Sequence, residues 1–400
     1  MRVLFLCNKS PFPPRKVGQL AMNANIQSLI IAGHNVKVLA LNTNKYHVDP
    51  EEIPGEYKEK TGIEFVYVDL SINPIDAFLN LFSPSSYHVN RFISDAVESK
   101  LIEILSEHAF DIVQLEMLYM TPYIDVIRKH SRAKVVLRSH NVEHLIWQRV
   151  AETTGNPLKR WYLGHLTRKL KNYEIGHLNR YDGVATISSK DEAFFRKKGC
   201  NIPLTTVPFG VDTGEYEAGK TEYEFPSLFH LGSMNWMPNE EGISWFIEHS
   251  WPLIHREFPD LKLYLAGRAM PDWLKNLRKP NVEVPGEVDD ARKFIHSKAI
   301  MVVPLFSGSG IRIKIIEGMA MGKAIISTSI GAEGINYSHG QNILIADTPE
   351  AFLEAVKKCI SGKPFCDKLG GNARKLIEKE HSLEAVTESL ENFYHRILEK

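Results

Sequence analysis

The residues with the clearest chemical potential lie in a glycine-rich segment near position 310. A strand-like apolar run is followed by Gly308 and Gly310, and then by Arg312, Lys314 and Glu317 in a helical pattern. Glycines let a backbone approach a ligand closely, and the N–H groups that open a helix favour an anion. Arg312 and Lys314 add cationic donors for a diphosphate, and the Glu317 carboxylate can accept two vicinal hydroxyls of a ribose. This order predicts a site for a nucleoside diphosphate, with Glu317 about two turns into the helix.

A simpler interpretation is a connecting loop with a surface pair formed by Lys314 and Glu317 at i,i+3. The sequence lacks other phosphate signatures: it has no G-x-x-x-x-G-K-[ST], and no G-x-G-x-x-G follows its first strand. It also has no D-x-D to hold a metal-bound diphosphate, so we expect neither a metal nor a cofactor. Glycine, base and acid in this order favour the nucleotide site.

A second candidate centre is His140-Asn141-Val142-Glu143-His144, which matches the H-x-x-E-H signature of zinc hydrolases. That chemistry needs both histidines on one helix face and a third ligand from elsewhere. His140 follows directly on a predicted strand, Lys134–Arg138, so we expect it in a loop before any helix. The zinc interpretation is therefore disfavoured, and Glu143 and His144 are expected to matter mainly through folding.

The segment Gly232-Ser233-Met234-Asn235-Trp236-Met237-Pro238-Asn239 follows another predicted strand. Its Asn and Trp side chains can line the diphosphate or the acceptor side of a site. Pro238 at a helix start and Trp236 as a packing residue are equally good structural interpretations. Both remain open.

The elements that must position these residues alternate between short β-branched runs and helical patterns, which is typical of parallel α/β folds. The predicted strands are Arg2–Cys7, Asn35–Leu41, Glu64–Asp69, Asp111–Leu115, Lys134–Arg138, Gly183–Ile187, Ser227–Leu231, Lys262–Ala266, Val282–Val284, Ala299–Leu305, Ala324–Thr328 and Ile343–Ile345. Predicted helices include Gln19–Ala32, which Gly33 ends, and a long basic amphipathic helix near Leu158–Asn179.

Alternation on both sides of the turn-rich segment at 208–212 predicts two Rossmann-like domains, residues 1–210 and 211–380. Ligands of such sheets bind outside the carboxyl ends of the strands. We therefore expect the two domains to face each other across a cleft that holds the site. A C-terminal helix over 381–400 is expected to pack back on the outside.

The charge balance argues against a nucleic-acid partner, because 48 Lys and Arg offset 48 Asp and Glu. The stretch Arg128–Arg180 is an exception, with 12 basic residues against Glu143, Glu152 and Glu174, a net charge of +9. It predicts peripheral contact with an anionic membrane, although an ordinary solvated helix explains it equally well. No apolar run is long enough to span a bilayer or to form a signal peptide, so we expect a cytoplasmic protein, at most peripheral at the inner face of the membrane.

In their order and spacing these segments resemble the retaining GT-B glycosyltransferases, in particular glycosyltransferase family 4, over nearly the whole chain. The segments that carry the resemblance are Arg2–Cys7 with its Pro/Gly loop, Gly33-His34-Asn35-Val36, Val207-Pro208-Phe209-Gly210-Val211-Asp212, Leu231-Gly232-Ser233, Leu265-Ala266-Gly267, Val284-Pro285-Gly286-Glu287-Val288, and the glycine loop with its helix. The resemblance implies a GT-B architecture and a nucleotide-sugar donor.

The resemblance also implies roles by position. Glu317 resembles the second Glu of the family's Glu-x7-Glu motif, which binds the nucleotide ribose, and the turn Gly286–Val288 resembles the one that holds the nucleobase. His140 resembles the histidine beside the donor sugar, and Gly18 resembles the remainder of a glycine loop that approaches the transferring phosphate. The predicted catalytic residues are His140, Arg312 and Lys314, and the predicted nucleotide-sugar contacts are Gly18, Gly232, Ser233, Gly286, Glu287, Val288, Gly308, Ser309, Gly310, Ile311 and Glu317.

Three positions depart from the family pattern. The first Glu of Glu-x7-Glu is replaced by Ser309, and Val17-Gly18 stands where the family has a double glycine. No basic pair occurs around Ser233–Asn239, so Arg312 and Lys314 are expected to supply that charge. These departures bear on the identity of the sugar more than on the fold.

We therefore expect a transferase that passes a hexose-type sugar from a nucleoside-diphosphate sugar to a hydroxyl of a polysaccharide or lipid-linked glycan, with retention of configuration. Two alternatives remain: a nucleotide-sugar epimerase on the same scaffold, and a non-catalytic nucleotide-sugar-binding partner. The residues do not distinguish UDP from GDP.

Overall fold

The chain folds into two compact units in the computed structural model, which describes residues 1–14, 17–216, 223–308 and 310–399. Unit 1 comprises Met1–Gly210 and Val386–Lys400, and unit 2 comprises Val211–Ala385. Each unit is built around its own parallel β-sheet. In the described ranges no helix combines the length and apolar character needed to cross a bilayer.

Unit 1 alternates strands with helices from its first residues onward. Its elements, in chain order, are β1 (Arg2–Cys7), α1 (Val17–Ile31), β2 (Asn35–Thr43), α2 (Gly55–Thr61), β3 (Glu64–Val68), α3 (Pro74–Leu79), α4 (Tyr87–Asn90), α5 (Asp95–Glu107), β4 (Ile112–Glu116), α6 (Ile124–His130), β5 (Lys134–Ser139), α7 (Glu143–Thr153), α8 (Pro157–His177), β6 (Gly183–Thr186), α9 (Ser189–Lys197) and β7 (Leu204–Thr206).

The sheet of unit 1 has the strand order β3-β2-β1-β4-β5-β6-β7. β1 pairs in parallel with β2 on one side and with β4 on the other, so that Leu6 lies beside Leu39 and Leu115. The direction in which strands are added reverses between β1 and β4. In open α/β sheets, the loops that follow two such strands diverge and leave a crevice at their carboxyl ends.

Unit 2 repeats this pattern. Its elements are β8 (Glu224–Leu231), α10 (Met237–Trp245), α11 (Trp251–Glu257), β9 (Lys262–Ala266), α12 (Asp272–Lys275), β10 (Val282–Gly286), α13 (Ala291–His296), β11 (Lys298–Val303), α14 (Ile313–Ala320), β12 (Ala324–Ser327), β13 (Leu344–Ile345), α15 (Pro349–Ile360) and α16 (Lys363–Glu380). A single π-helical turn, Phe246–Ser250, joins α10 to α11. The sheet order is β10-β9-β8-β11-β12-β13, and its switch point lies between β8 and β11.

The last helix, α17 (Leu383–Leu398), completes the core of unit 1. Leu390 and Phe393 are buried in one cluster with Val3 and Phe5 of β1. Gly183 of β6 permits this packing, because a Cβ at that position would collide with the side chain of Ile397. The tail from Val386 therefore forms part of unit 1, whereas the prediction treated 381–400 as a separate helix on the outside.

Every strand predicted from the sequence has a counterpart in the structure, with ends shifted by no more than three residues. The Leu158–Asn179 pattern corresponds to α8, and Gln19–Ala32 corresponds to α1. The prediction missed β7, because its three residues, Leu-Thr-Thr, are too few to show a period.

Candidate functional site

The candidate site of unit 2 lies at its switch point, where Lys314 is enclosed by residues from two other elements. Lys314 Nζ donates to Asn239 Oδ1 at 2.8 Å and lies 3.2 Å from His230 Nε2. His230 Nδ1 lies 2.8 Å from the carbonyl oxygen of Val302, so Nδ1 carries the proton and Nε2 accepts from the lysine. The Lys314 side chain of α14 thus joins strand β8 and helix α10.

Burial dominates the electrostatics of this pair. Removal from water, together with the nearby charge of Arg312, lowers the pKa of Lys314 to about 7, although Glu317 opposes the shift. Burial and the Lys314 charge also lower the pKa of His230 well below its ordinary value. The site therefore holds a neutral imidazole and a lysine that exchanges its proton near neutral pH. An anion bound beside Lys314 would favour the charged form.

Gly232 is required by this arrangement. A Cβ at Gly232 would lie 2.5 Å from Lys314 Nζ and 2.9 Å from Asn239 Nδ2. The next residue, Ser233, accepts from Asn239 Nδ2 through its carbonyl oxygen at 2.8 Å, and its Oγ donates to Asn235 Oδ1 at 2.8 Å. The structure thus places the predicted Gly232 against Lys314, and Ser233 against its partner Asn239.

The glycine loop curls over Arg312. Gly308 and Gly310 have φ angles of +107° and +78°, which side-chain-bearing residues rarely adopt. The Arg312 guanidinium donates to the carbonyl oxygen of Gly310 and lies 5.3 Å from the centre of the Trp236 ring. Arg312 is only 4% exposed and occupies the N-cap position of α14, after the partly buried Ile311. The predicted contact Ser309 lies outside the described residues.

Trp236 of the 232–239 segment has the packing contacts that the structural interpretation predicts. Besides facing Arg312, its ring would lie 3.0 Å from a Cβ at Gly308, so it packs directly on the glycine loop. Pro238 does lie in the first turn of α10. Asn239 is the member of the segment whose side chain accepts from the Lys314 ammonium.

Glu317 lies on α14 and is held by a residue that the sequence reasoning missed. Tyr216 Oη donates to Glu317 Oε1 at 3.1 Å, and the Arg292 guanidinium lies 4.8 Å from the centre of the Tyr216 ring. Burial raises the pKa of Glu317, while the Tyr216 hydrogen bond and the charges of Arg292 and Lys314 oppose the rise. The prediction of two helical turns was wrong: α14 begins only at Ile313, so Glu317 lies about one turn into it.

The predicted nucleobase turn follows β10. Gly286 has a φ angle of +77°, Glu287 is exposed and Val288 is partly buried. The Gly286 carbonyl accepts from the N–H of Gly267 at 2.7 Å, and a Cβ at Gly267 would collide with the carbonyl oxygen of Gly232. The turns after β8, β9 and β10 therefore touch in series, at the same edge of the sheet as Lys314.

In unit 1, His140 lies in the loop between β5 and α7, as predicted, and a buried carboxylate orients it. His140 Nε2 lies 2.7 Å from Glu116 Oε2, at the end of β4. Since the carboxylate can only accept, Nε2 carries the proton and Nδ1 keeps its lone pair. Burial lowers the pKa of His140, and the adjacent Glu116 opposes this shift.

The orientation of His140 depends on a chain of buried polar groups. Gln114 Nε2 donates to Glu116 Oε1 at 2.6 Å, and Tyr394 Oη of α17 donates to Gln114 Oε1. Sequence reasoning missed these three residues. A signal was present for two of them, because Gln114 and Glu116 are polar residues on one face of an otherwise apolar strand. Tyr394 is 280 positions from Gln114, and no local pattern connects them.

Gly18 lies beside His140, although not in a loop. It is the second residue of α1, and a Cβ there would lie 2.8 Å from Lys9 Nζ and 3.9 Å from His140 Nδ1. The loop following β1, the start of α1 and the loop following β5 therefore meet at the imidazole. The structure brings Gly18 and His140 together in unit 1, while the other predicted contacts that it describes belong to unit 2.

The zinc-hydrolase geometry is not formed. His140 precedes α7, whereas His144 lies on it, with its Nδ1 2.5 Å from Glu174 Oε2. Glu174 also accepts from the N–H groups of Glu143 and His144, so it caps α7. Burial raises the pKa of Glu143 to about 7, and Tyr119 Oη donates to its Oε2 at 2.7 Å. Within the described ranges no three His, Cys, Asp or Glu side chains are grouped to hold a metal ion.

Replacement of Lys314 with Met should change the pH dependence of stability. The folded chain loses the Lys314 proton above about pH 7, whereas an ordinary lysine keeps its proton up to a pKa of 10.5. Between these values unfolding takes up a proton, so the wild type should gain about 1–3 kcal/mol relative to the variant as pH rises. Urea unfolding at about pH 7 and about pH 9 measures this gain. Lys275→Met, at an exposed position, is the matched control, and a difference that ignores pH would contradict the burial of this charge.

Comparison with known proteins identifies the domain in which these unit 2 residues lie. Residues 225–362, from β8 to the end of α15, match the family model described as Glycosyl transferases group 1. The chain is 23% identical over 407 residues to an uncharacterized 44.6 kDa protein in the cps region of Klebsiella pneumoniae, and the match covers 97% of this chain and 98% of that protein. It is also 23% identical over 216 residues to the capsular polysaccharide biosynthesis glycosyltransferase CapM of Staphylococcus aureus, covering 49% of this chain and 56% of CapM.

Solved structures share the fold over the full length of the chain. The sucrose-phosphate synthase of Thermosynechococcus elongatus superposes with a TM-score of 0.70 at 14% identity and with complete coverage of both chains. Anabaena HepE in complex with UDP superposes with a TM-score of 0.67 at 14% identity, covering 99% of this chain and all of that one. The chain therefore has the GT-B fold of two Rossmann-like domains, and the matched domain together with this fold supports a glycosyltransferase.

Proposed function

We propose that this protein is a retaining glycosyltransferase that moves a hexose-type sugar from a nucleoside-diphosphate sugar to a hydroxyl of a polysaccharide or lipid-linked glycan. The observation that carries the proposal is the switch point of unit 2, where Arg312 and Lys314 stand at the glycine loop and Glu317 lies one turn further on. All three lie inside the segment that matches the glycosyltransferase domain.

In this proposal the donor's diphosphate binds between Lys314, Arg312 and the first N–H groups of α14. A helix start beside two cations suits a diphosphate, because both the dipole and the side chains favour negative charge. Glu317, held by Tyr216, accepts from the ribose hydroxyls, and the Gly286–Val288 turn receives the base. UDP is the favoured nucleotide, because HepE, a neighbour in fold, is known in complex with UDP.

The proposed catalysis depends on where negative charge develops during sugar transfer. Breaking the bond between the sugar and the diphosphate places negative charge on the leaving phosphate, and prearranged cations stabilise that charge. Lys314 and Arg312 supply this stabilisation, so the proposal requires no metal. We propose that the acceptor attacks from the face that the phosphate leaves and that the phosphate takes the acceptor's proton. This course retains the anomeric configuration.

The acceptor class rests on relatives. CapM is a capsular polysaccharide biosynthesis glycosyltransferase, and the Klebsiella protein is encoded in a cps region. We propose that the acceptor here is likewise a growing surface polysaccharide or its lipid-linked precursor. His140 is proposed to act on the transferring sugar, with Nδ1 as the free acceptor atom that Glu116 leaves available.

A transfer assay tests this function. Purified protein is incubated with UDP- or GDP-hexoses and with lipid-linked or polysaccharide acceptors, and NMR of the product reports the anomeric configuration. We expect transfer with retention, and a loss of about 10²–10⁴ in turnover for His140→Ala, the range for groups that stabilise charge or move protons. His130→Ala, at an exposed position, is the control. Donor epimerisation without acceptor would indicate an epimerase, and inversion would exclude the retaining mechanism.

Removal of the Glu317 carboxylate should weaken nucleotide binding. Glu317→Ala is expected to cost about 1.5–3 kcal/mol in UDP affinity, the value of hydrogen bonds to a charged group. Calorimetric titration measures the loss, and Glu350→Ala, on the exposed side of α15, serves as the matched control. Unchanged affinity in Glu317→Ala would remove this residue from the nucleotide site.

A further inference from the structure

Unit 1 presents a cluster of large apolar side chains to solvent. Ile72, Ile75, Phe78, Leu79 and Phe82 are each at least 59% exposed, and we refer to them as the apolar ridge. The rings of Phe78 and Phe82 pack edge to face with their centres 5.6 Å apart. Ile75 is i,i+3 and i,i+4 from Phe78 and Leu79 on α3, so these side chains are neighbours on the surface. Scattered apolar residues are normal on a monomer, but a contiguous group of this kind marks an interaction surface.

The short helix α3 exposes the apolar side chains that an ordinary surface helix would bury. Ala77 is its only buried residue, and it packs against Tyr87 and Leu166 of unit 1. The larger side chains Ile75, Phe78 and Leu79 point away from the core. A surface helix normally buries its apolar side. α3 therefore holds its apolar side outward.

The basic helix α8 packs beside α3, the helix that carries part of the ridge. Tyr162 and Leu166 of α8 pack on Ala77, and Lys169 Nζ donates to the carbonyl oxygens of Asn80 and of Leu81, the latter at 3.3 Å. Leu158 and Trp161, 75% and 61% exposed, extend the apolar surface along the helix. Arg168 follows Trp161 by seven residues and therefore lies on the same stripe of the helix.

The charges of α8 that reach solvent are positive. Lys159, Arg168 and Lys171 are exposed, whereas Glu174, the acidic residue of this helix, is buried where it caps α7. The acidic side chain of α3 that opposes these cations is the exposed Asp76. Apolar side chains beside a cationic helix complement a surface that is anionic outside and apolar beneath.

The structure shows that some basic residues of the stretch Arg128–Arg180 are buried or paired. Arg138 is fully buried, Arg128 lies 3.3 Å from Asp182, and Arg180 lies 2.5 Å from Asp125. Three of the twelve basic residues of 128–180 are thus buried or locally balanced. Outside these pairs, four exposed basic residues of the stretch lie on α8, namely Lys159, Arg160, Arg168 and Lys171.

We propose that the apolar ridge and the exposed stripe of α8 form a docking surface for an anionic lipid bilayer. The ridge side chains enter the interface between headgroups and acyl chains, and Arg168 and Lys171 contact the anionic headgroups. The surface would hold unit 1 at the membrane where lipid-linked glycans reside. It requires no transfer activity, so it stands or falls separately from the proposed function.

Vesicle co-sedimentation of the full chain tests this docking surface. We expect binding to phosphatidylcholine vesicles that contain phosphatidylglycerol, weaker binding without it, and release by salt. The variant Phe78→Glu/Phe82→Glu should lower the partition coefficient at least about tenfold, and Arg168→Glu/Lys171→Glu should do so only on anionic vesicles. Ile31→Glu, which changes a similarly exposed apolar residue of α1, is the matched control and should bind as the wild type does.

Thermal unfolding and UDP binding verify that each variant is folded. Wild-type binding by a folded ridge variant would overturn the proposal, as would equal wild-type binding to neutral and anionic vesicles. Dimerisation without lipid that Phe78→Glu/Phe82→Glu abolishes would also overturn it, because the ridge would then be an interface between two copies of this chain.

Discussion

The burial of one ammonium group organises the carboxyl edge of unit 2. Lys314 reaches Asn239 and His230 across the switch point, and it constrains the residues around it. His230 is neutral with its proton on Nδ1, and a side chain at Gly232 would displace the Lys314 ammonium from this position. A buried charge costs stability unless it is paired, and here amide and imidazole partners replace a carboxylate. The lysine therefore keeps an unsatisfied preference for an anion, which the proposed diphosphate would meet.

In unit 1, a chain of buried hydrogen bonds positions His140. His140 is positioned by Glu116, Glu116 by Gln114, and Gln114 by Tyr394 of the last helix. Buried polar groups of this kind have to be satisfied together, because each orphaned partner would lose a full hydrogen bond in a poorly solvated interior. The C-terminal helix thus contributes to the position of His140 as well as to the core. This explains why a tail that looks peripheral in the sequence is packed against the face of the sheet.

Much of the fold could be predicted, because apolar strands and helical periods are local signals. The same holds for the glycine loop, whose Gly308 and Gly310 adopt the φ angles that glycine alone accepts readily. The partners of the functional groups could not be predicted, because His230, Asn239 and Tyr216 reach Lys314 and Glu317 only through tertiary packing. The start of α14 was misplaced, since the loop continues to Arg312 without a change in composition. The basic stretch predicted the exposed positive charge only in part, because a sequence does not show which cations are paired or buried.

The central claim is that a nucleotide diphosphate binds against Lys314 and supplies the negative charge that this group lacks. Calorimetric titration with UDP at about pH 8, in two buffers that differ in ionisation enthalpy, tests it directly, because phosphate itself titrates near pH 6 and is silent there. Since the pKa of free Lys314 is about 7, most of these lysines are neutral before binding. Binding should therefore take up close to one proton per UDP, and Lys314→Met should abolish this uptake. Tight UDP binding with identical enthalpies in both buffers would contradict the account.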